Sequence, residues 1–113
     1  MPATEFAVDV VRDADTAVLL LAGDISGGAE TAFLDGFHAT GEAGVVVLDF
    51  TSVEYINSSG IALIIQLLIE SSHAGQTVYA FGLSAHFAKV FTMVGITKYA
   101  RLFPSQAEAL AAF

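Results

Sequence analysis

The 113-residue sequence contains no cysteine. Disulfides, thiolate metal sites and cysteine nucleophiles are thereby excluded. Basic residues are scarce: four Lys and Arg stand against twelve Asp and Glu, for a formal charge of −8. A surface this acidic repels phosphates, which argues against nucleic acid and against direct binding to an anionic membrane. No apolar run approaches the roughly 20 residues needed to span a bilayer. The start, MPATEFAVDV, has neither the basic cluster nor the apolar core of a secretory signal. Repeats, linkers and low-complexity tracts are lacking too. What remains is 55% hydrophobic, far too apolar for disorder. The length suits one domain, residues 1–113, and a cytoplasmic protein without cofactor is the expectation.

The centre of the sequence, Val45 to Leu68, is the most informative stretch. An apolar run, Val45 to Phe50, is expected to end in a polar turn that opens at once into an apolar helix. Asn57-Ser58-Ser59-Gly60 stands at the junction. Backbone N–H groups at a helix start have no partners and the dipole there is positive, so small polar side chains are favoured. The helix is predicted from Ser58 to His73, ending at Gly75. Ile61, Ile64, Ile65 and Leu68 recur at helical spacing and are assigned to its core side. Gln66, Glu70 and His73 mark the opposite side, with Ala62 and Leu63 flanking it. Apolar surface beside a polar junction reads either as a surface covered by neighbouring loops or as a docking surface bordered by Asn57, Ala62 and Leu63, with Gln66 at its rim. For Ser58 the plain alternative is a capping role shared with Asn57.

From the N-terminus, Phe6–Val11 and Ala17–Ala22 read as a hairpin around the polar turn from Arg12 to Thr16. Leu19, Leu20 and Leu21 suit a strand buried on both faces. Gly23-Asp24 is expected to break it, and Ser26-Gly27-Gly28 leads into a helix with core positions Ala29, Ala32, Phe33, Gly36 and Phe37. No G-x-G-x-x-G or G-K-[ST] accompanies that double glycine, so it is not a phosphate loop. Thr77–Phe81 is a further strand, and Ser84 caps a third helix. Phe87, Val90, Phe91 and Val94 form its predicted inner stripe, with His86, Lys89 and Met93 outside. Gly95 suits the left-handed end of that helix. Tyr99–Phe103 reads as a last strand. Pro104 and Ser105-x-x-Glu108 open a final helix with Leu110 and Phe113 inward. The order β-β-α-β-α-β-α-β-α implies an α/β domain with a mostly parallel sheet.

Catalytic chemistry finds little support. Ser58 or Ser59 as nucleophile would need a base, and His38, His73 and His86 each fall on a predicted outer helix face. The junction is not a G-x-S-x-G elbow either. The histidines have no H-x-x-x-H spacing and the acids are scattered, so no metal site is expected. Asp49 and Glu54 have nothing that marks them as a catalytic couple. A phosphorylation switch requires less: one exposed hydroxyl in fixed geometry, to which phosphate adds about −1.5 to −2 charge. At a helix start that charge is tolerated by the fold, while it opposes docking of a partner.

Asp49-Phe50-Thr51-Ser52-Val53, followed by Tyr55-Ile56-Asn57-Ser58-Ser59-Gly60-Ile61-Ala62-Leu63, resembles the signature of STAS domains, named for sulfate transporters and anti-sigma-factor antagonists. Gly23-Asp24-Ile25-Ser26 is similar to that family's Gly-Glu-Leu-Asp, and Phe91 to Gly95 resembles its third-helix pattern. In the stand-alone antagonists the junction usually reads Asp-Ser-Ser-Gly or Asp-Ser-Thr-Gly. The first hydroxyl residue after the acid takes a phosphate from an anti-sigma serine kinase. Ser58 holds that position, and Asn57 replaces the acid. The resemblance implies a STAS-like fold, a single mixed, mostly parallel sheet with about four α-helices. It further implies a bacterial, non-enzymatic regulator that binds an anti-sigma serine kinase when unphosphorylated and so releases a sigma factor. ATP belongs to the kinase, Ser58 is the phosphorylated residue, and the partner is met through Asp24, Ser26, Asn57, Ser58, Ser59, Gly60, Ala62, Leu63 and Gln66. Two other readings stand beside this one. One is a STAS subunit of a transporter or lipid-trafficking complex that acts without phosphorylation. The other is a small-ligand or anion-binding domain using the helix start at Ser58–Gly60.

Overall fold

The computed structural model describes residues 5–112; the expectation for Phe113 lies outside them. Alternating apolar residues build an antiparallel hairpin of β1 (Ala7–Asp13) and β2 (Thr16–Ile25). Its turn is tighter than expected. Asp13 already pairs with Thr16, and Ala14 takes a left-handed φ of 54°. Nor does Gly23 end β2. With φ of 86° it sits at a bulge, one of two places where the register between β2 and β3 slips. A 3-10 turn at Gly27–Ala29 leads into α1 (Glu30–His38), followed by β3 (Val45–Ile56), α2 (Ser58–His73), β4 (Thr77–Phe81), α3 (Ala85–Met93), β5 (Ala100–Phe103) and α4 (Gln106–Ala111). The strands lie in the order β1-β2-β3-β4-β5, and every pair after the hairpin is parallel. This is the mixed, mostly parallel sheet with four α-helices that the sequence implied.

Helices α1, α2 and α3 share one core with the inward face of the sheet. Leu19, Leu21, Ile25, Phe33, Leu48, Phe50, Ile64, Leu68 and Phe91 form its centre. Phe50 and Phe91 meet edge to face at 5.6 Å, which ties α3 to the central strand. Among the described residues the other face carries only α4, whose Ala109 packs with Val47 and Phe81. That one-sided cover corrects the reading of β2. Leu19 and Leu21 are buried, but Leu20 is 41% exposed, because the six-residue α4 does not reach it. Leu110, expected inward, is exposed, since Ala109 takes the inner position. Among the described residues no helix is long and apolar enough to cross a membrane.

Candidate functional site

β3 is twelve residues long and runs straight to the helix, with no turn after Phe50. Its first half lies between β2 and β4. Beyond Asp49, which pairs with the last residue of β4, it continues, among the described residues, beside β2 alone as far as Ile56. At the shift the Asp49 Oδ1 accepts the Thr51 N–H at 2.9 Å. The chain then passes directly from strand to cap. The Asn57 N–H donates to the Ile25 carbonyl at 3.1 Å, extending the β2–β3 pairing by one bond. Its side-chain Oδ1 accepts the Gly60 N–H at 2.8 Å and closes the first turn of α2. Gly60 itself lies so close to Ile25 that a Cβ would overlap the Ile25 carbonyl oxygen. A glycine is therefore needed for the helix start to seat on the end of β2.

This geometry gives the cap to a residue other than Ser58. Asn57 alone caps the helix, and Ser58 follows as its first residue, exposed and with no hydrogen bond to its hydroxyl among the described residues. The capping role considered for Ser58 is thus taken by Asn57. Ser59 is exposed as well, not held against the sheet, and its Cβ lies 3.7 Å from where a Gly27 side chain would begin. Ser58 borders an apolar groove of about 340 Å³ between the start of α2 and the length of α3. Tyr55 and Ile61 form one wall; His86, Phe87, Val90 and Val94 form the other. His86 packs edge-on against Phe87 at 5.0 Å, and no hydrogen bond joins it to Ser58 among the described residues. Tyr55 and Phe87 close the upper end with ring centroids 6.1 Å apart.

The residues singled out in the sequence do not form one cluster. Asn57 and Ser58 border the apolar groove, whereas Asp24 and Ser26 border a separate hollow of about 500 Å³ beside α1, with Glu5, Phe6 and Asp35. Gly60 is buried beneath the junction, and Ala62 and Gln66 are exposed on the outer side of α2. Leu63 requires correction. It is only 5% exposed and belongs to the core with Ile64, Leu67 and Leu68. The helix is rolled so that Gly60 meets β2, which leaves Ile61 and Ile65 half-buried in place of Leu63. Val94, assigned to the core, is 46% exposed at the groove. Phe87, Val90, Val94 and Tyr55 are the wall residues that sequence reasoning missed. The sequence held no clear signal for them, because they depend on the disparity between a long β3 and a short β4, which leaves α3 partly without sheet beneath it. The histidines stand apart: His38 meets Glu70 at 3.1 Å, and His73 and His86 are exposed. Among the described residues no three His, Asp or Glu side chains gather as a metal site.

Comparison with known proteins places this geometry in context. A family model described as "Mlab, STAS domain" matches residues 8–104. No curated protein matches. Among solved structures, an anti-sigma factor antagonist from Mycobacterium paratuberculosis is similar, with a TM-score of 0.75 and 21% identity over 96% of this chain and 93% of that one. The Bacillus cell fate determinant SpoIIAA in its phosphorylated form gives 0.69 and 18%, over 96% and 98%. A sulfate transporter family protein from Wolinella succinogenes gives 0.77 and 17%, over 90% and 87%. Likeness at these identities is likeness of fold. Taken with the family match along most of its length, it means that the chain belongs to the STAS domain family.

Proposed function

We propose that this chain is a non-enzymatic, protein-binding regulator of the antagonist type. Its groove beside Ser58 receives an anti-sigma factor that is also a serine kinase, and transfer of phosphate to Ser58 releases that partner. The observation that carries this reading is the division of labour at the start of α2. Asn57 makes the cap hydrogen bond, so the Ser58 hydroxyl is exposed and free of any structural task. A phosphate there would break no hydrogen bond, and the positive end of the helix would accommodate its charge. Exposed apolar surface adjoins it: of the groove residues, Tyr55 is 56% and Val94 46% exposed. Surface of this kind favours docking in the unmodified state, and a dianion at its edge opposes it. ATP belongs to the partner. The similar SpoIIAA structure is of a phosphorylated form, in keeping with such a switch.

One observation favours a second reading. Asn57 stands where antagonists carry an acid, so a kinase that recognises the carboxylate would find it missing. A STAS subunit serving a transporter or lipid-trafficking complex needs the groove but no phosphate. The test is intact and fragment mass spectrometry after incubation with the cognate anti-sigma kinase and ATP. The expected result is one phosphate on Ser58, absent from Ser58→Ala, with loss of binding on modification. Binding without any phosphate transfer would turn the assignment to the second reading. Phosphate on Ser59 alone would overturn the choice of residue.

A further inference from the structure

The outer face of the β1–β2 hairpin, on the side of the sheet away from α2, combines apolar and acidic side chains. Strand alternation places Asp9, Val11 and Asp13 of β1 there, together with Val18 and Leu20 of β2. The register sets Val11 beside Val18, and Asp9 beside Leu20, which in turn lies beside Asp49. Val11 is 51% exposed. Helix α4 shields Val47 and Phe81 but leaves Val11 and Leu20 open.

Charge beside this stripe is of one sign: Asp9, Asp13 and Asp49 flank it, while Arg101 of the same face stands away on β5, over the Tyr79 and Phe103 rings. Residues 5–57 hold ten of the twelve acidic groups of the chain and a single base, Arg12. That guanidinium is turned to the helix face, where it donates to the Thr40 carbonyl at 2.8 Å. The apolar stripe is therefore rimmed by carboxylates without a local cation to neutralise them.

We propose that this face is a second docking surface, and that it takes a basic amphipathic helix of a partner protein. The helix would lay its apolar ridge on Val11, Val18 and Leu20 and set Lys or Arg beside Asp9, Asp13 and Asp49. The dimensions agree. Asp9 and Asp49 flank Leu20 from neighbouring strands, about 10 Å apart at the usual strand spacing, and an α-helix is about 10 Å across. Charge selects this occupant over two others. A second copy docked face to face would set the same carboxylates against each other, with −8 on each chain. An anionic bilayer would be repelled for the same reason. Because the α2–α3 groove is on the other side of the sheet, both surfaces can be occupied together.

The test is NMR on the ¹⁵N-labelled full chain, titrated with a synthetic Leu/Lys amphipathic helical peptide and, as control, a Leu/Glu peptide of the same pattern. The first is expected to shift amides of β1 and β2, with affinity that falls as salt is added, and the second to shift none. Val11→Thr with Leu20→Thr keeps charge and strand propensity, and should weaken binding about tenfold or more while the melting temperature holds. Asp9→Asn with Asp13→Asn should weaken it and flatten the salt dependence. Equal binding by the double threonine variant would reduce the effect to bulk charge and overturn the proposal. So would no binding, or shifts confined to α2 and α3. Concentration-dependent self-association in sedimentation, lost in Leu20→Thr, would instead assign the face to a second copy.

Discussion

Helices α2 and α3 carry the same pattern of apolar residues, yet one is sunk into the protein and the other is only leaned against it. In α2 the residues Leu63, Ile64, Leu67 and Leu68 are all at 5% exposure or less. In α3 only Phe91 is buried; Phe87 and Val90 are half-buried, and Met93 and Val94 are exposed. Strand length accounts for the difference. β3 has twelve residues and β4 five, so the second half of β3 has no strand beside it on the α3 side among the described residues. Helix α2 covers the middle of the sheet, while α3 overhangs the place where the sheet stops. An apolar stripe tells which side of a helix seeks cover. Only the extent of the sheet tells whether cover is there. The part of the α3 stripe that lacks it becomes the wall of the groove beside Ser58.

The contrast can be broken by mutation. Leu63→Ala is expected to cost about 2–5 kcal/mol, as deletion of a buried leucine leaves a cavity. Val94→Ala should stay within about 0.5 kcal/mol, as an exposed substitution does. Urea unfolding of both variants measures this. A Val94→Ala cost equal to that of Leu63→Ala would mean that the groove wall is interior and not a surface. Gly60→Ala comes next. The added Cβ would overlap the Ile25 carbonyl oxygen, so the helix start must lift, at a cost of about 1–3 kcal/mol. Gly27→Ala is its control, because a Cβ there meets only the Ser59 Cβ at an ordinary 3.7 Å. Thermal unfolding that moved equally for both would deny any special seating of α2.

Those same residues mark how far the sequence could be read. The bounds of α2, Ser58 to His73, and of β4, Thr77 to Phe81, were legible because local signals agree there: polar residues at the start, glycine after the end, a β-branched or aromatic run between turns. The roll of α2 was not. Its face is apolar almost all round, so one stripe through Ile61 and Ile65 competes with another through Leu63 and Leu67. The choice between them is made by Gly60, which looks like flexibility in the sequence and acts as a contact in the fold. The end of β3 was hidden for a related reason. Thr51, Ser52, Glu54 and Tyr55 are solvent-exposed in a strand paired on one side only, and so they read as a turn. At the site, Ser58 was legible as an exposed residue at a helix start. The partition of Asp24 and Ser26 into a hollow of their own was not, because it depends on how α1 and the start of α2 approach the end of β2.

A smaller effect is expected where the two helices start. Asn57→Ala removes the acceptor for the Gly60 N–H and should cost about 1 kcal/mol. Ser84→Ala removes the corresponding bond to the Phe87 N–H, which at 3.2 Å is longer and exposed, so its cost should be the lower of the two. Asn57→Asp keeps an acceptor at the cap and adds charge complementary to the helix dipole, a gain of about 0.3–1 kcal/mol. It also supplies the acid found in antagonists. Faster phosphorylation of Asn57→Asp than of the parent chain would therefore separate the two functional readings, with melting curves as the check on folding.

The smallest effect on stability should accompany the largest effect on binding. Ser58→Asp puts a negative charge on the first residue of α2, where the dipole is worth about 0.3–1 kcal/mol in its favour. No hydrogen bond is lost, since Asn57 makes the cap. The melting temperature should hold or rise slightly. The same charge lies at the border of the apolar groove, where a docked partner would have to desolvate it, so affinity for the proposed anti-sigma partner should fall. Ser59→Asp is the control that gives this meaning. It adds an equal charge one residue on, to a side chain that lies near Gly27 and does not line the groove. Calorimetric titration of both variants with the partner should show Ser58→Asp as the weaker binder by a clear margin. Equal losses would mean that the partner senses the charge of the helix start as a whole. Equal retention would mean that it docks elsewhere, and that the groove left open by α3 has another use.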